Sequence, residues 1–178
     1  MKTGRTEEVF SLWLMPAGEI ADQLLSLIVR LSHEHSTQKF EPHITLIGEL
    51  SLPKATAIAM TREIALQIEP FDVKLNEVEH DDRYFRCVFI KADKTPELMR
   101  ANSVARAVFG QEENEEYMPH LSLVYGNFDS QMRKRVIRST GNKMKIVFPA
   151  REICLYYTGG RPAGWYCLSR IPCGRNNL

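Results

Sequence analysis

The 178-residue sequence lacks the cysteine and histidine pairs that build metal sites. Its four cysteines, Cys87, Cys154, Cys167 and Cys173, include no C-x-x-C, and no H-x-x-x-H accompanies them. A zinc finger or ribbon is therefore excluded, and no metal is expected. The chain also lacks a long apolar run. The stretch "VFSLWLMPAG" near the N-terminus is too short to span a bilayer and is followed by acidic residues. No basic segment with a cleavage site precedes it, so a cytoplasmic protein without membrane contact is the expectation. A net charge of +1 gives no strong field toward long nucleic acid or an anionic membrane. No linker rich in proline, glycine or serine divides the chain, so residues 1–178 read as one domain. What is present is ordinary for a folded protein: 44% hydrophobic and 25% charged residues, enough for one buried core.

Cys87, Cys154 and Cys167 lie in apolar runs, where a reduced cysteine acts as a small core hydrophobe. A hairpin of 150–158 with 164–171 around "TGGRPAG", pairing Thr158 with Ala163, would set Cys154 opposite Cys167. Those two would be buried thiols in a reducing compartment or a disulfide in an oxidising one.

The elements alternate. "EEVFSLWLMP" has the aromatic and β-branched content of a strand and stops at Pro16. Ile20, Leu24, Leu27, Ile28 and Leu31 fall on one helical face. After the polar loop "SHEHSTQKFE" come the strand "PHITLIG" and a helix opened by Pro53 that runs to about Ile68. "FDVKLNEVEH" and "RYFRCVFIKA" read as two strands joined by a charged turn at Asp81 and Asp82. Thr95, Pro96 and Glu97 have the chemistry of a helix start, and Gly110 of its stop. The acidic loop "QEENEE" leads into "PHLSLVYG". Asp129 can cap a helix that ends near Gly141, and "KMKIVFP", "REICLYYTG" and "GWYCLSRIP" close the chain as strands. Several strands are joined too tightly for parallel crossovers, so the class is α+β, with an antiparallel sheet and outer helices.

One pattern occurs twice. "EPHITLIGEL" at 41–50 is echoed by "YMPHLSLVYG" at 117–126. Side chains at i and i+2 of a strand share a face, so His43 projects with Thr45 and His120 with Ser122. The intervening aliphatics, Ile44, Leu46, Leu121 and Leu123, face the other way. If the two copies sit in two lobes related by an approximate two-fold axis, two imidazoles and two hydroxyls surround one small ligand. That set suits phosphate ester chemistry. Near neutral pH one imidazole can take a proton while the other gives one. The hydroxyls can donate to non-bridging phosphate oxygens. A strained cyclic phosphodiester needs no metal, because its ring is already activated.

The paired H-x-[ST]-aliphatic motifs "HITL" and "HLSL" resemble the signature of the 2H phosphoesterase superfamily. Within it the chain is similar to the cyclic phosphodiesterases of plant and yeast type, through "FSLWLMP", "KFEPHIT", "RYFRCVFI", "KTPELMRA" and "YMPHLSLVYG" in order. The likeness weakens after about residue 140. It implies a bilobal α+β fold with pseudo-two-fold symmetry around a central cleft, and no cofactor. It also implies hydrolysis of ADP-ribose 1″,2″-cyclic phosphate to the 1″-phosphate, and of nucleoside 2′,3′-cyclic phosphates to 2′-phosphates. His43, Thr45, His120 and Ser122 then correspond to a catalytic quartet. Trp13 and Tyr125 stand where such enzymes carry aromatics near the substrate, although strict alternation puts Tyr125 on the face opposite His120.

Other features have plainer readings beside their functional ones. His33 and His35 lack third and fourth metal ligands, so "HEH" reads as a solvated loop, and His80 as a surface histidine among acids. The run "RKRVIRSTGNKMK" is either an exposed helix face and turn or a strip for RNA ends. Trp13 is either core or a base-stacking wall, and Trp165 is read as core. The expected partner is a small nucleotide cyclic phosphate, the expected state a monomer. Two rivals stand: a 2H enzyme acting on RNA ends by 2′,5′-linkage ligation or cleavage, and a non-catalytic domain that binds nucleotide phosphates.

Overall fold

The computed structural model describes residues 8–111 and 116–175. Glu7, at the start of the first expected strand, and most of the acidic loop before "YMPH" lie outside the described residues. Strand β1 (Glu8–Leu14) leads into helix α1 (Gly18–Glu34), strand β2 (Ile44–Leu52) and helix α2 (Lys54–Ala65). Strand β3 (Phe71–His80) and β4 (Val88–Ala92) follow, then helix α3 (Pro96–Phe109), strand β5 (His120–Val124) and helix α4 (Ser130–Thr140). Strands β6 (Lys143–Ala150), β7 (Glu152–Tyr157) and β8 (Tyr166–Pro172) close the chain. The class is α+β, with every described strand pair antiparallel.

Local chemistry accounts for most boundaries. The Thr95 hydroxyl accepts from the Leu98 amide at the start of α3, and Gly110 ends that helix in the left-handed conformation, φ 64°. Asp129 accepts from the Met132 amide and starts α4 in the same way. Pro53 caps α2 rather than opening it, and α1 runs on through His33 and Glu34, which the sequence places in a loop. "RYFRC" is not the start of a strand: Tyr84–Arg86 form a 3₁₀ turn, and β4 begins only at Val88. Asp81 holds Arg86 through the guanidinium and folds the segment back on itself.

The strands lie in the order β6-β3-β4-β5-β2-β1-β7-β8. The two motif strands are the central neighbours, and each half repeats the same plan outward from them. The halves are not the halves of the sequence, because β7 and β8 complete the side of β2 while β3 and β4 belong to the side of β5. β2 and β5 pair through one bridge, Ile44 with Leu121, and then part. Two backbone carbonyls left open by this splay are met from outside the sheet. Asn102 of α3 donates to the Leu46 carbonyl at 2.7 Å, and the Tyr117 hydroxyl to the Thr45 carbonyl at 3.0 Å. A buried carbonyl without a partner would cost about 1–3 kcal/mol. The polar side chain of Asn102 inside the core thus serves the opening between the motif strands.

Helix α1 packs on β5, α3 on β2 and β3, α2 on β1, β7 and β8, and α4 on β3 and β4. The aliphatic members of both motifs, Ile44, Leu46, Leu121 and Leu123, are buried in this helix-covered core. That leaves the histidines and hydroxyls for the other face of the sheet.

Candidate active site

A cleft of about 600 Å³ opens on that face, and His43, Thr45, His120 and Ser122 all line it. Both imidazoles are held in the same way. His43 Nδ1 donates to the Glu41 carbonyl at 2.6 Å, and His120 Nδ1 to the Met118 carbonyl at 2.9 Å. Each acceptor lies two residues upstream, with a proline between. The restricted φ of Pro42 and Pro119 helps turn that carbonyl onto the ring. This explains why proline belongs to the repeated pattern. These bonds fix the neutral tautomer on both sides, with the proton on Nδ1 and the lone pair on Nε2.

Each histidine also carries an aromatic side chain from the neighbouring strand. Trp13 pairs across β1–β2 with Thr45, and Phe89 across β4–β5 with Ser122. The indole of Trp13 lies flat on His43, with centroids 3.5 Å apart and planes at 8°, whereas Phe89 meets His120 edge-on at 5.2 Å. Tyr156 stacks on Trp13 at 3.9 Å, and its hydroxyl donates to the Glu41 carboxylate. Since the carbonyl of Glu41 holds His43, the three residues Trp13, Tyr156 and Glu41 form a closed clamp around one imidazole. The electrostatics follow the packing. Burial lowers His43 to about 3, helped by the neighbouring His120 charge and opposed by the Glu41 carbonyl. His120 is lowered too, by burial first, and Arg86 lowers it further while Asp81 raises it. Both shifts favour the neutral ring near pH 7.

The hydroxyls differ. Ser122 donates to the Phe85 carbonyl at 2.8 Å and so anchors the 3₁₀ turn, while Thr45 stands on the wall beside Gly48. A Cβ at Gly48 would lie 3.3 Å from Ser11 Oγ and 3.4 Å from Thr45 Cγ2, so glycine keeps the floor between those hydroxyls open. Ser11 is itself bonded to Thr158 at 3.0 Å.

The sequence reading misses the wall made by Arg83, Tyr84, Phe85 and Arg86, all of which line the cleft. Alternation along a supposed strand would have turned half of them away. Arg133 donates to the Asp81 carbonyl at 2.7 Å and braces this wall, which gives one residue of the basic run a structural task. The turn supplies the cationic groups that the motifs alone lack. Tyr125 lines the cleft after all, because β5 ends at Val124 and the alternation ends with it. Tyr125 and Trp13 are nevertheless 3% and 2% exposed, so they back the cleft more than they wall its mouth. Phe85, at 51%, and the half-buried Trp165 face each other there, with centroids 5.8 Å apart. Trp165 is thus a cavity wall and not a core residue.

The remaining candidates sit elsewhere. His33 and His35 close α1, His80 ends β3, and among the described residues no three of His, Cys, Asp or Glu are placed to hold a metal ion. Cys154 pairs with Arg170 and Tyr156 with Cys167, so the expected Cys154–Cys167 register is wrong. The 3₁₀ turn Pro162–Gly164 removes Ala163 from the strand, and a bulge follows in β8. All four cysteines are free, and burial raises Cys154 to about 12, which keeps it an un-ionised thiol.

A face of antiparallel strands bearing two tethered imidazoles, two hydroxyls and arginines is the arrangement of a phosphoesterase. The comparisons carry this to a family. Residues 9–152 match the model of the family described as cyclic phosphodiesterase-like protein, and the chain belongs to that family, within the 2H phosphoesterases. It is an enzyme of the phosphoric diester hydrolase class. The cyclic phosphodiesterase of Arabidopsis thaliana is 27% identical over 128 residues, 72% of this chain and 71% of that protein. A 2′,3′-cyclic-nucleotide 3′-phosphodiesterase of Phaeosphaeria nodorum is 32% identical over 133 residues, 65% of this chain and 67% of that protein. Among solved structures, Thermus thermophilus TT0787 superposes with a TM-score of 0.69 at 14% identity, covering 94% of this chain and 99% of that one. E. coli LigT complexed with 3′-AMP gives 0.66 at 13%, covering 94% and 98%. These two likenesses show the fold. Among the described residues no helix is long and apolar enough to cross a membrane.

Proposed function

We propose that this enzyme hydrolyses cyclic phosphodiesters of small nucleotides with His43 and His120 as an acid–base pair and no metal. The substrates are nucleoside 2′,3′-cyclic phosphates, opened to 2′-phosphates, and ADP-ribose 1″,2″-cyclic phosphate, opened to the 1″-phosphate. The observation that carries this reading is the duplicated tether: two Nδ1-anchored imidazoles in one cleft, each beside a hydroxyl. The neutral ring takes a proton from water as its oxygen bonds to phosphorus. The P–O bond to the leaving ribose oxygen breaks, and the protonated ring gives that oxygen its proton. Atoms balance as one water added. The pair still holds one proton but with the roles exchanged, and exchange with solvent resets it.

Burial disfavours the imidazolium on both rings, and the negative charge of the substrate offsets this by favouring an imidazolium beside it. Thr45, Ser122 and the arginines of the 3₁₀ turn stabilise the non-bridging oxygens. Phe85 and Trp165 at the mouth supply flat surfaces for a base. Action on RNA ends uses the same four residues and is the competing reading. Comparing turnover of 2′,3′-cyclic AMP, ADP-ribose cyclic phosphate and RNA oligomers decides between them. No turnover of any cyclic phosphate would leave nucleotide-phosphate binding alone.

A further inference from the structure

Strand β2 leaves its regular pairing just past the first motif, in the wall of the cleft. Trp13 pairs with Thr45, Leu12 with Ile47 and Phe10 with Leu50, so Ser11 faces two residues, Gly48 and Glu49. A bulge of this kind re-aims a side chain. Ile47 turns into the core, and the next residues of β2 to line the cleft after Thr45 are Gly48 and Glu49. Glu49 takes the left-handed conformation, φ 58°, which strains a glutamate and would suit a glycine. Ser36, the other described non-glycine with positive φ, follows the end of α1, where such a conformation is ordinary. Glu49 lies inside a strand. Its side chain is exposed, and among the described residues no hydrogen bond or ion pair holds it. A free carboxylate in a cleft for phosphate repels the phosphate, so strain and charge both call for another occupant. Beside the bulge, Ser11 and Thr158 share one hydrogen bond at 3.0 Å. Whichever hydroxyl accepts keeps its own O–H to donate. The connection from β7 to β8 carries Thr158, Gly160 and Trp165 along the same lining, so this polar corner is continuous with the flat surface offered to a base.

We infer that Glu49 is a specificity-determining residue that, with the Ser11–Thr158 pair, reads the edge of the base and favours guanine. This rests on the proposed phosphodiesterase reading and adds a base preference to it. Guanine presents an acceptor, O6, followed by two donors, N1–H and the 2-amino group. The free hydroxyl hydrogen matches O6. The two carboxylate oxygens accept the two N–H groups side by side, as they accept the fork of an arginine. Adenine offers one donor and turns the lone pair of N1 toward the carboxylate. Uracil has one N–H between two carbonyls, and cytosine one amino group beside a lone pair. Reading the base changes binding and not the chemical step, so its loss belongs in KM more than in kcat.

The test compares the wild type with Glu49→Gln on the 2′,3′-cyclic phosphates of guanosine, inosine and adenosine. Wild-type kcat/KM should rank guanosine above inosine, which lacks the 2-amino group, and inosine above adenosine. The guanosine-to-adenosine ratio should fall about tenfold in Glu49→Gln, the scale of one lost bidentate base contact. The fall should lie in KM. The glutamine amide offers one acceptor and one donor, the pair that suits adenine, so the preference should move toward adenosine. A ratio that Glu49→Gln leaves unchanged, or a wild type without a guanosine preference, would overturn the inference. Calorimetric titration with 2′-GMP and 2′-AMP keeps the outcome separate from the catalytic proposal, because it needs no turnover. Tighter binding of 2′-GMP that is lost in Glu49→Gln supports base reading even if no cyclic phosphate is hydrolysed. Equal affinity of the wild type for the two would overturn it while hydrolysis stands.

Discussion

The indole of Trp13 and the imidazole of His43 lie face to face, 3.5 Å between centroids and 8° from parallel. This contact excludes water from one side of the ring, and with the rest of the burial it lowers His43 to about 3. Trp13→Phe leaves a smaller ring and admits water, so the imidazolium becomes less costly. His43, followed by NMR titration of its ring proton, should titrate higher in Trp13→Phe than in the wild type. An unchanged value would show that the stack contributes nothing to the shift.

The same shift links pH to stability. Above pH 6.5 His43 is neutral in folded and unfolded chains alike, and below about 3 both are protonated. Between these limits the unfolded chain binds more protons, so stability falls as pH drops through the window. Denaturant unfolding at pH 7 and pH 4.5 should show this loss, and His43→Gln should make it smaller.

The clamp can be opened from the far side. Tyr156→Phe removes the hydroxyl that donates to Glu41 but keeps the ring on Trp13. Because Glu41 holds His43 through its carbonyl, kcat should fall by roughly tenfold, about 1.4 kcal/mol, with KM little changed. Glu41→Gln preserves an acceptor and should retain more activity than Glu41→Ala. Equal activity of all three variants with the wild type would mean that His43 keeps its place without the clamp.

The quartet itself should behave unequally. His43→Ala and His120→Ala should each lower kcat by ~10²–10⁴, the worth of a general acid or base. Thr45→Ala and Ser122→Ala should cost about 10–10³ on the oxyanion-donor argument. Ser122→Ala also frees the Phe85 carbonyl and so should raise KM as well. Turnover should persist after prolonged treatment with EDTA, measured on the same substrate.

The motif pair was readable because period-two alternation and a repeated proline leave their mark on a short segment. His43, Thr45, His120 and Ser122 needed only those rules to share a face. Other parts depend on contacts that no local pattern encodes. Asn102 looks like an ordinary polar helix residue until β2 and β5 part and expose the Leu46 carbonyl. Arg83 and Arg86 were hidden because a run rich in aromatics reads as a strand, whereas the Asp81–Arg86 ion pair bends it into a 3₁₀ turn. A turn and a bulge displace Cys154 from Cys167, and each shifts pairing without changing the apolar pattern. Trp165 looked like core because burial of a tryptophan is the default, and only its place in the cleft lining shows otherwise.

The pH dependence of 2′,3′-cyclic AMP hydrolysis, measured at steady state and in single turnover, tests the two-histidine chemistry most directly. One proton must be shared by two rings, so kcat/KM should be bell-shaped. Burial lowers both rings in the free enzyme, which puts the basic limb of kcat/KM below ~6.5. The bound phosphate favours the imidazolium, so the basic limb of kcat and of the single-turnover rate should lie at higher pH. The limbs belong to the pair, and the variant that loses one of them assigns the acid and the base. A single-turnover rate that is flat from pH 5 to 9 would contradict proton transfer by either histidine.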